Sequence, residues 1–423
     1  MPGRGGPMST PPRESFKPHR AGLFVVIACL VGVMAACADS PPKEASAFGP
    51  NVDRIPADAV SLVVISPMDV AKDTKPYSWL VFLNALRKPI GYRIYDGLVH
   101  GQAAITQSKA IAIGAGDFVE VITDKGVQQA PSQPNGRGWG AYSTPRDSGL
   151  DAYLWLDAGI GGDGNQMRAT QINVRGQTAM FGEKGYLAAQ GYCKDTYYYA
   201  LFKGSSGPAG GTMTLKARKT GANQSRHIAS WHSGFSIDRG RTIVCAADGR
   251  RVELPLISGT DGPIRSDDSG PDGLAGMRLV DPDTGTSTFR PLNEAYVGSM
   301  HERLSAAGGS NVSWSELGRT FYIDMHGNLQ SVANAADAPR LEADLIPGIP
   351  VADRYITAAS VNFGTVGMIA YKRLVDGGLA GRDSIVWVDL HTRKEIARDE
   401  SPDWLTGVTA STQYEVTDLI SLR

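Results

Sequence analysis

Seven times along the chain an apolar, β-branched stretch runs into Asp, Asn or a short basic turn, passes through Gly, Thr-Gly or its equivalent, and leaves as a second such stretch. The segments are VITDKGVQQ (121–129), INVRGQTAM (172–180), LKARKTGANQ (215–224), VCAADGRRVEL (244–254), RLVDPDTGTSTF (278–289), YIDMHGNLQSV (322–332) and VWVDLHTRKEI (386–396). Asp-Gly and Thr-Gly supply residues that tolerate positive φ, which a tight antiparallel hairpin demands. A chain that reverses this often has little room for helices, so the fold class is all-β. Glycine supports the same conclusion: 50 of 423 residues, spread along the chain rather than gathered in one tract.

The turns recur at intervals of about 30 to 65 residues, around the length of one propeller blade. Two segments, SIDRGRTIVCAADGR (236–250) and SELGRTFYIDMHGN (315–328), share Gly-Arg-Thr, an apolar strand and a polar turn, which reads as a repeat. Helical periodicity is expected at 76–90, where Trp79, Phe82, Leu83 and Leu86 fall on one face, and at 292–305. DAVSLVVIS (58–66) and QYEVTDLISL (413–422) are expected to meet as the strands that close a ring.

These stretches resemble the YVTN and quinoprotein-like β-propellers, whose blades carry an Asp-x-x-Thr-Gly turn. VDPDTGT (280–286) is near that pattern, VDLHTRK (388–394) has Arg393 where Gly is usual, and Gly327 follows His326 in place of Thr. The resemblance implies a β-propeller, expected here to be seven-bladed and to span residues 55–423. It marks blade turns and implies no particular activity.

The N-terminus reads as an export signal. Arg4, Arg13, Lys17 and Arg20 face a single Glu14, and residues 21–36 (AGLFVVIACLVGVMAA) then run without charge. That run is shorter than the roughly 20 residues a membrane-crossing helix needs. It ends in VMAAC, which resembles the bacterial lipobox, with Met34 where Leu is usual and Cys37 as the thiol to be lipidated. The resemblance implies a lipoprotein: a signal peptide over 1–36, removed on export, a lipidated flexible tether over 37–54 rich in Pro, Ser and Ala, and attachment to the membrane by acyl chains on its extracytoplasmic face.

Charge excludes one partner class. The whole chain carries a net charge of −1, and loss of the basic leader makes the remainder more acidic, so no nucleic-acid partner is expected. Beyond Cys37 only Cys193 and Cys245 remain, a candidate disulfide in an exported protein or else two buried thiols; no CxxC joins them to a metal or redox role.

Motifs for chemistry are sparse. GFSID (234–238) lacks the closing glycine of a nucleophile elbow. His227 and His232, five apart, are expected on opposite faces of a strand, which disfavours a shared metal. SDDSGPDG (266–273) and DAGIGGDGN (157–165) read as solvated acidic loops, and the seven tryptophans keep no common offset from the turns that would dock a quinone cofactor. No catalytic, cofactor or metal residue is assigned. The expected function is a binding module for an envelope protein or small ligand. The alternative is an enzyme, lactonase-like or quinoprotein-like, with its site at the channel mouth.

Overall fold

The computed structural model describes residues 43–67, 77–96, 102–115, 118–131, 137–143, 149–161, 164–204, 211–233, 241–246, 248–257, 275–291, 313–316, 318–324, 326–333, 339–373, 379–400, 402–405 and 414–422. Residues from Glu44 onward form one compact unit. Seven sheets of four antiparallel strands make it up, consecutive in sequence except where the last strand of the chain joins the first three, and one sheet gains a fifth, parallel strand. From the innermost strand outward, blade 1 is Tyr414–Ser421, Ser61–Pro67, Tyr77–Leu83 and Pro89–Asp96; blade 2 is Ala103–Ile105, Ile111–Ala115, Phe118–Thr123 and Gly126–Pro131. Blade 3 is Arg137–Tyr142, Ala152–Gly161, Gly164–Ile172 and Thr178–Lys184; blade 4 is Tyr186–Cys193, Thr196–Gly204, Gly211–Lys219 and Arg226–Ser233. Blade 5 is Val244–Cys245, Val252–Ile257, Ala275–Val280 and Ser287–Pro291; blade 6 is Ser313–Glu316, Arg319–Ile323, Asn328–Val332 and Arg340–Asp344; blade 7 is Arg354–Asn362, Thr365–Arg373, Leu379–Asp389 and Lys394–Glu400. The fold is a seven-bladed β-propeller.

Burial distinguishes inside from outside. The fourth strands of blades 3, 6 and 7 are exposed or half-buried along their length, whereas the first strands of neighbouring blades touch one another at the seams 2–3, 3–4, 4–5, 5–6 and 7–1. Closure joins the chain ends, with Ser61 opposite Ser421 and Val63 opposite Leu419. The two expected closing strands therefore form the inner half of blade 1.

Each blade is a layer between two seams, so its middle strands bury both faces and read as continuous apolar runs. Val63 and Ile65 enter the core between blades 7 and 1, while Leu62 and Val64 enter the core between blades 1 and 2. The same two-sided burial overturns the helix expected at 76–90. Trp79, Val81 and Leu83 face one seam and Leu80 and Phe82 the other, so Tyr77–Leu83 is a strand, turned at 84–88 into Pro89–Asp96. Leu86, counted toward the helical face, is an exposed turn residue. The segment 292–305 lies outside the described residues.

All seven expected hairpins are hairpins between adjacent strands, but they are not one per blade. Five join third to fourth strands, in blades 2, 3, 4, 5 and 7; the other two join first to second in blade 5 and second to third in blade 6. The Gly-Arg-Thr likeness is therefore not a blade repeat: Arg241–Thr242 lies against the innermost strand of blade 4, whereas Arg319 and Thr320 begin the second strand of blade 6. Arg393, in the position where Gly was usual, takes the left-handed conformation at φ 58° and is held there by its guanidinium on the Glu342 backbone carbonyl.

The turns are fastened by their leading acid or amide. Asp281 Oδ1 accepts from the N–H groups of Asp283 and Thr284, Asp389 from Thr392, and Asp248 from Arg250 and Arg251. Burial alone would raise the Asp248 carboxyl, but the two N–H donors and the Arg251 guanidinium hold it down to about 2. Asp281 is lowered by the N–H groups of Asp283 and Thr284, and Asp389 by that of Thr392. A carboxyl depressed in the folded state contributes stability above its unfolded pKa, near 4, and that contribution is lost as pH falls through the folded value. Thermal melts are therefore expected to be level from neutrality to about pH 4 and to fall between about pH 4 and 2, with Asp248→Asn lower at neutrality and less steep in acid. A melting temperature level down to pH 2 would contradict this.

Packing begins earlier than the tether's composition suggests. Phe48 is fully buried, edge-on to Trp79, Tyr92 and Trp404, and the Pro50 carbonyl and Val52 N–H pair with the Tyr92 backbone. Residues 48–54 thus belong to the folded body, docked on blade 1 beside the seam where the ring closes.

Candidate functional site

The seam between blades 3 and 4 is built from alternating strands. In Thr196–Gly204, Tyr197, Tyr199 and Leu201 face blade 3, while Tyr198, Ala200 and Phe202 face blade 5. In Gly211–Lys219, Met213, Leu215 and Ala217 join the core toward blade 5, which turns Thr212, Thr214, Lys216 and Arg218 toward blade 3. Blade 3 answers with Tyr153, Trp155, Met167, Ala169 and Phe181. At one end the aromatic rings fill the gap: Tyr153 stacks on Tyr197 at 3.7 Å, Trp155 donates to the Tyr197 hydroxyl at 2.8 Å, and the Arg218 guanidinium lies 4.3 Å from the centre of the Phe181 ring. Desolvation raises the Tyr197 phenol well above its usual range, so it stays protonated and donates to Gln190.

Toward the other end the aromatic rows stop. Leu201, Thr212, Thr214 and Gly182 replace them, and a Cβ at Gly182 would meet nothing within 4 Å. The seam opens there into a cleft of about 540 Å³. Met167 and Leu201, both buried, are its apolar lining. Glu183 Oε1 accepts from the Tyr199 hydroxyl at 2.6 Å and Oε2 from Lys216 Nζ, so the carboxylate bridges the two blades. Burial and then Glu183 push the Tyr199 phenol upward, keeping it a donor. Gln166, Arg168, Lys184, Lys203 and Thr212 complete the polar lining, which sets four cationic side chains against the carboxylate of Glu183. A hydroxyl chain continues outward, with Thr214 Oγ1 3.2 Å from Ser230 Oγ and Ser230 Oγ 2.9 Å from His227 Nε2. The arrangement can bind anions and hydroxyl groups together.

Cys193 and Cys245 are joined as a disulfide between the innermost strands of blades 4 and 5. The strand approaching Cys245 runs parallel to blade 4's innermost strand, with Ala189 opposite Arg241 and Gln190 opposite Thr242, and gives that blade its fifth strand. His227 and His232 do not diverge as expected. A bulge at Leu215/Lys216 sets His227 opposite Lys216 and His232 opposite Thr212, which puts both on the face turned toward blade 3. Among the described residues no three of His, Cys, Asp and Glu are grouped as metal ligands. Asp157 spends its carboxylate on the N–H of Gly159 in its own hairpin. Cys37, GFSID (234–238) and SDDSGPDG (266–273) lie outside the described residues.

No sequence motif marks the cleft, and the only local motif in LKARKTGANQ is its turn. The available signal was Thr212-x-Thr214-x-Lys216-x-Arg218, a polar alternation on a strand that two seams should have made apolar on both faces.

What the fold and this seam define is a β-propeller with a cationic cleft between two blades. No family model matches the chain, and no curated protein matches it. Among solved structures it is similar to the cobalt-substituted Synechocystis apocarotenoid oxygenase ACO, at 9% identity and TM-score 0.45, over 82% of this chain and 91% of that one. It is also similar to the β-propeller domain of the Trilobed protease from Pyrococcus furiosus, at 9% identity and TM-score 0.45, over 85% of this chain and 97% of that one. At that distance no residue role or activity is carried across.

Proposed function

We propose that the chain is an exported lipoprotein, anchored through Cys37 outside the cytoplasm, whose propeller is a binding module for an envelope component, with the cleft between blades 3 and 4 as the contact site. The observation that supports it is the outer half of that seam, where hydroxyl and amine groups line about 540 Å³ of open space beyond the aromatic packing of its inner half. Sites for small ligands fall in the range of about 300–1,000 Å³ with a few convergent polar groups. A hydrolase reading draws on the His227–Ser230 contact. Both residues are exposed on the outermost strand, and among the described residues no carboxylate bonds the histidine, so the pair lacks the orienting group such chemistry uses.

A thermal-shift panel on residues 44–423 tests the reading, with neutral and acidic sugars, sugar phosphates, amino acids, nucleotides and short peptides at millimolar concentration. At least one compound is expected to raise the melting temperature of the native domain and not that of Thr214→Trp, whose indole fills the cleft. A panel without any binder, or a binder indifferent to Thr214→Trp, would sink the proposal.

A further inference from the structure

We infer that the cleft takes an anionic carbohydrate unit, a sugar ring bearing a carboxylate or a phosphate; this rests on reading the cleft as a binding site. Three features of the lining converge on that chemistry. First, its cations, Arg168, Lys184, Lys203 and Lys216, outnumber its one carboxylate, so the local field favours a negative ligand although the protein as a whole is acidic. Second, the rest of the polar lining is what ring hydroxyls require. The Thr212 and Thr214 hydroxyls and the Gln166 amide both donate and accept. Glu183, bonded once at each oxygen to Tyr199 and Lys216, retains acceptor lone pairs for a ligand hydroxyl. A bare anion would gain nothing from that carboxylate and would be repelled by it. Third, the buried Met167 and Leu201 give the cleft an apolar floor beneath its polar lining, the mixed surrounding that a sugar ring with both C–H and O–H groups suits.

Phe48, the buried start of the folded body, docks at the seam between blades 7 and 1. The seam between blades 3 and 4 lies three blades away in one direction and four in the other. The cleft therefore lies on the opposite side of the ring from the segment docked at Phe48.

Isothermal titration of the 44–423 domain with digalacturonate, glucose 6-phosphate, galactose, glucose and inorganic phosphate tests the inference. Saturable binding of digalacturonate or glucose 6-phosphate is expected, at least tenfold tighter than for the matching neutral sugar and for inorganic phosphate. Added salt should weaken it, and Lys203→Glu, an exposed change that leaves the circular dichroism spectrum unaltered, should weaken it at least tenfold. Neutral sugars binding equally well would overturn the anionic class, and inorganic phosphate binding equally well would overturn the carbohydrate class; the binding-site reading would survive either result. If none of the five probes bound while another panel compound did so in a Thr214-dependent way, the class would again be wrong and the site right. If nothing bound at all, both would fall.

Discussion

Cys245→Ser is expected to lower the unfolding free energy of the 44–423 domain by about 4 kcal/mol, the chain-entropy value for opening a loop with a sequence separation of 52 residues. The loop holds three of the four principal strands of blade 4 and the crossing into blade 5, so without the bridge the unfolded chain gains all the freedom of that segment. Cys193 is buried and its partner sits at the inner seam, which makes the bond part of the core and not an external staple. Urea melts in the presence and absence of reductant would measure the effect. Cys193→Ser, Cys245→Ser and the double variant should be equally destabilised, because each removes the same bond. A difference between oxidised and reduced protein below about 1 kcal/mol would show that the unfolded chain gains little from the opened loop.

Gly191→Ala is expected to be at least as damaging, costing about 4 kcal/mol or more, beyond the ordinary range for adding one methyl group. An added Cβ would stand 2.0 Å from the Ile243 carbonyl oxygen, 2.9 Å from its carbon and 3.0 Å from its nitrogen. All three are backbone atoms, so no rotamer change can relieve the overlap. The Ile243 N–H bonds to the Gln190 carbonyl at 2.8 Å, and this contact carries the chain from blade 4 into register with blade 5. Displacing that segment would pull Cys245 from Cys193 as well, so free thiols should appear in the variant. Gly182→Ala is the control: its Cβ meets nothing within 4 Å, and its stability should stay within about 0.5 kcal/mol of the native domain. Equal melting temperatures for the two alanine variants would mean that the inner seam is looser than the geometry states.

How far the sequence reveals this architecture depends on which interactions fix each part. Hairpins were legible because their chemistry is local: an Asp or Asn caps its own turn, and a residue at positive φ follows within four positions, as in Asp281 with Gly285 and Asp248 with Gly249. Ring closure was legible from two apolar strands, one near each end of the chain, and Ser61–Pro67 does pair with Tyr414–Ser421. The strand Tyr77–Leu83 was mistaken for helix because burial on both faces erases the period-two pattern, and the remaining apolar run also fits a helical face. His227 and His232 were set on opposite faces because a single bulged residue, invisible in the spacing, reverses the alternation. Phe48 was assigned to the tether because its neighbours are Ala, Ser, Gly and Pro; its partners Trp79 and Trp404 are distant in sequence.

The cleft shows the same limit at the level of the site. Its lining comes from four strands in two blades, and no two of its charged residues form a motif. Lys216 acquires meaning only when Glu183 and Tyr199 stand beside it, which requires the blades to be in place. Other seams use single arginines in a similar way. Arg93 of blade 1 reaches both carboxylate oxygens of Glu120 in blade 2, and the fully buried side chain of Arg354 in blade 7 bonds Asn328, Asp344 and the carbonyls of Ile346 and Ile349 around blade 6. These are inter-blade locks in which a guanidinium meets carboxylate, amide or carbonyl groups of the neighbouring blade, whereas the cleft keeps hydroxyl, amide and ammonium groups beside open space.

The central claim is that this propeller works outside the cytoplasm on a lipid anchor, and the most direct test is the intact mass of the protein purified from membranes of the expressing cell. The account predicts a chain that begins at Cys37, carries the mass of a diacylglyceryl group with or without a further acyl chain, and leaves the membrane only with detergent. Cys37→Ser should abolish both the added mass and the membrane association. A chain that retains residues 1–36, or one recovered without lipid from the soluble fraction, would contradict it.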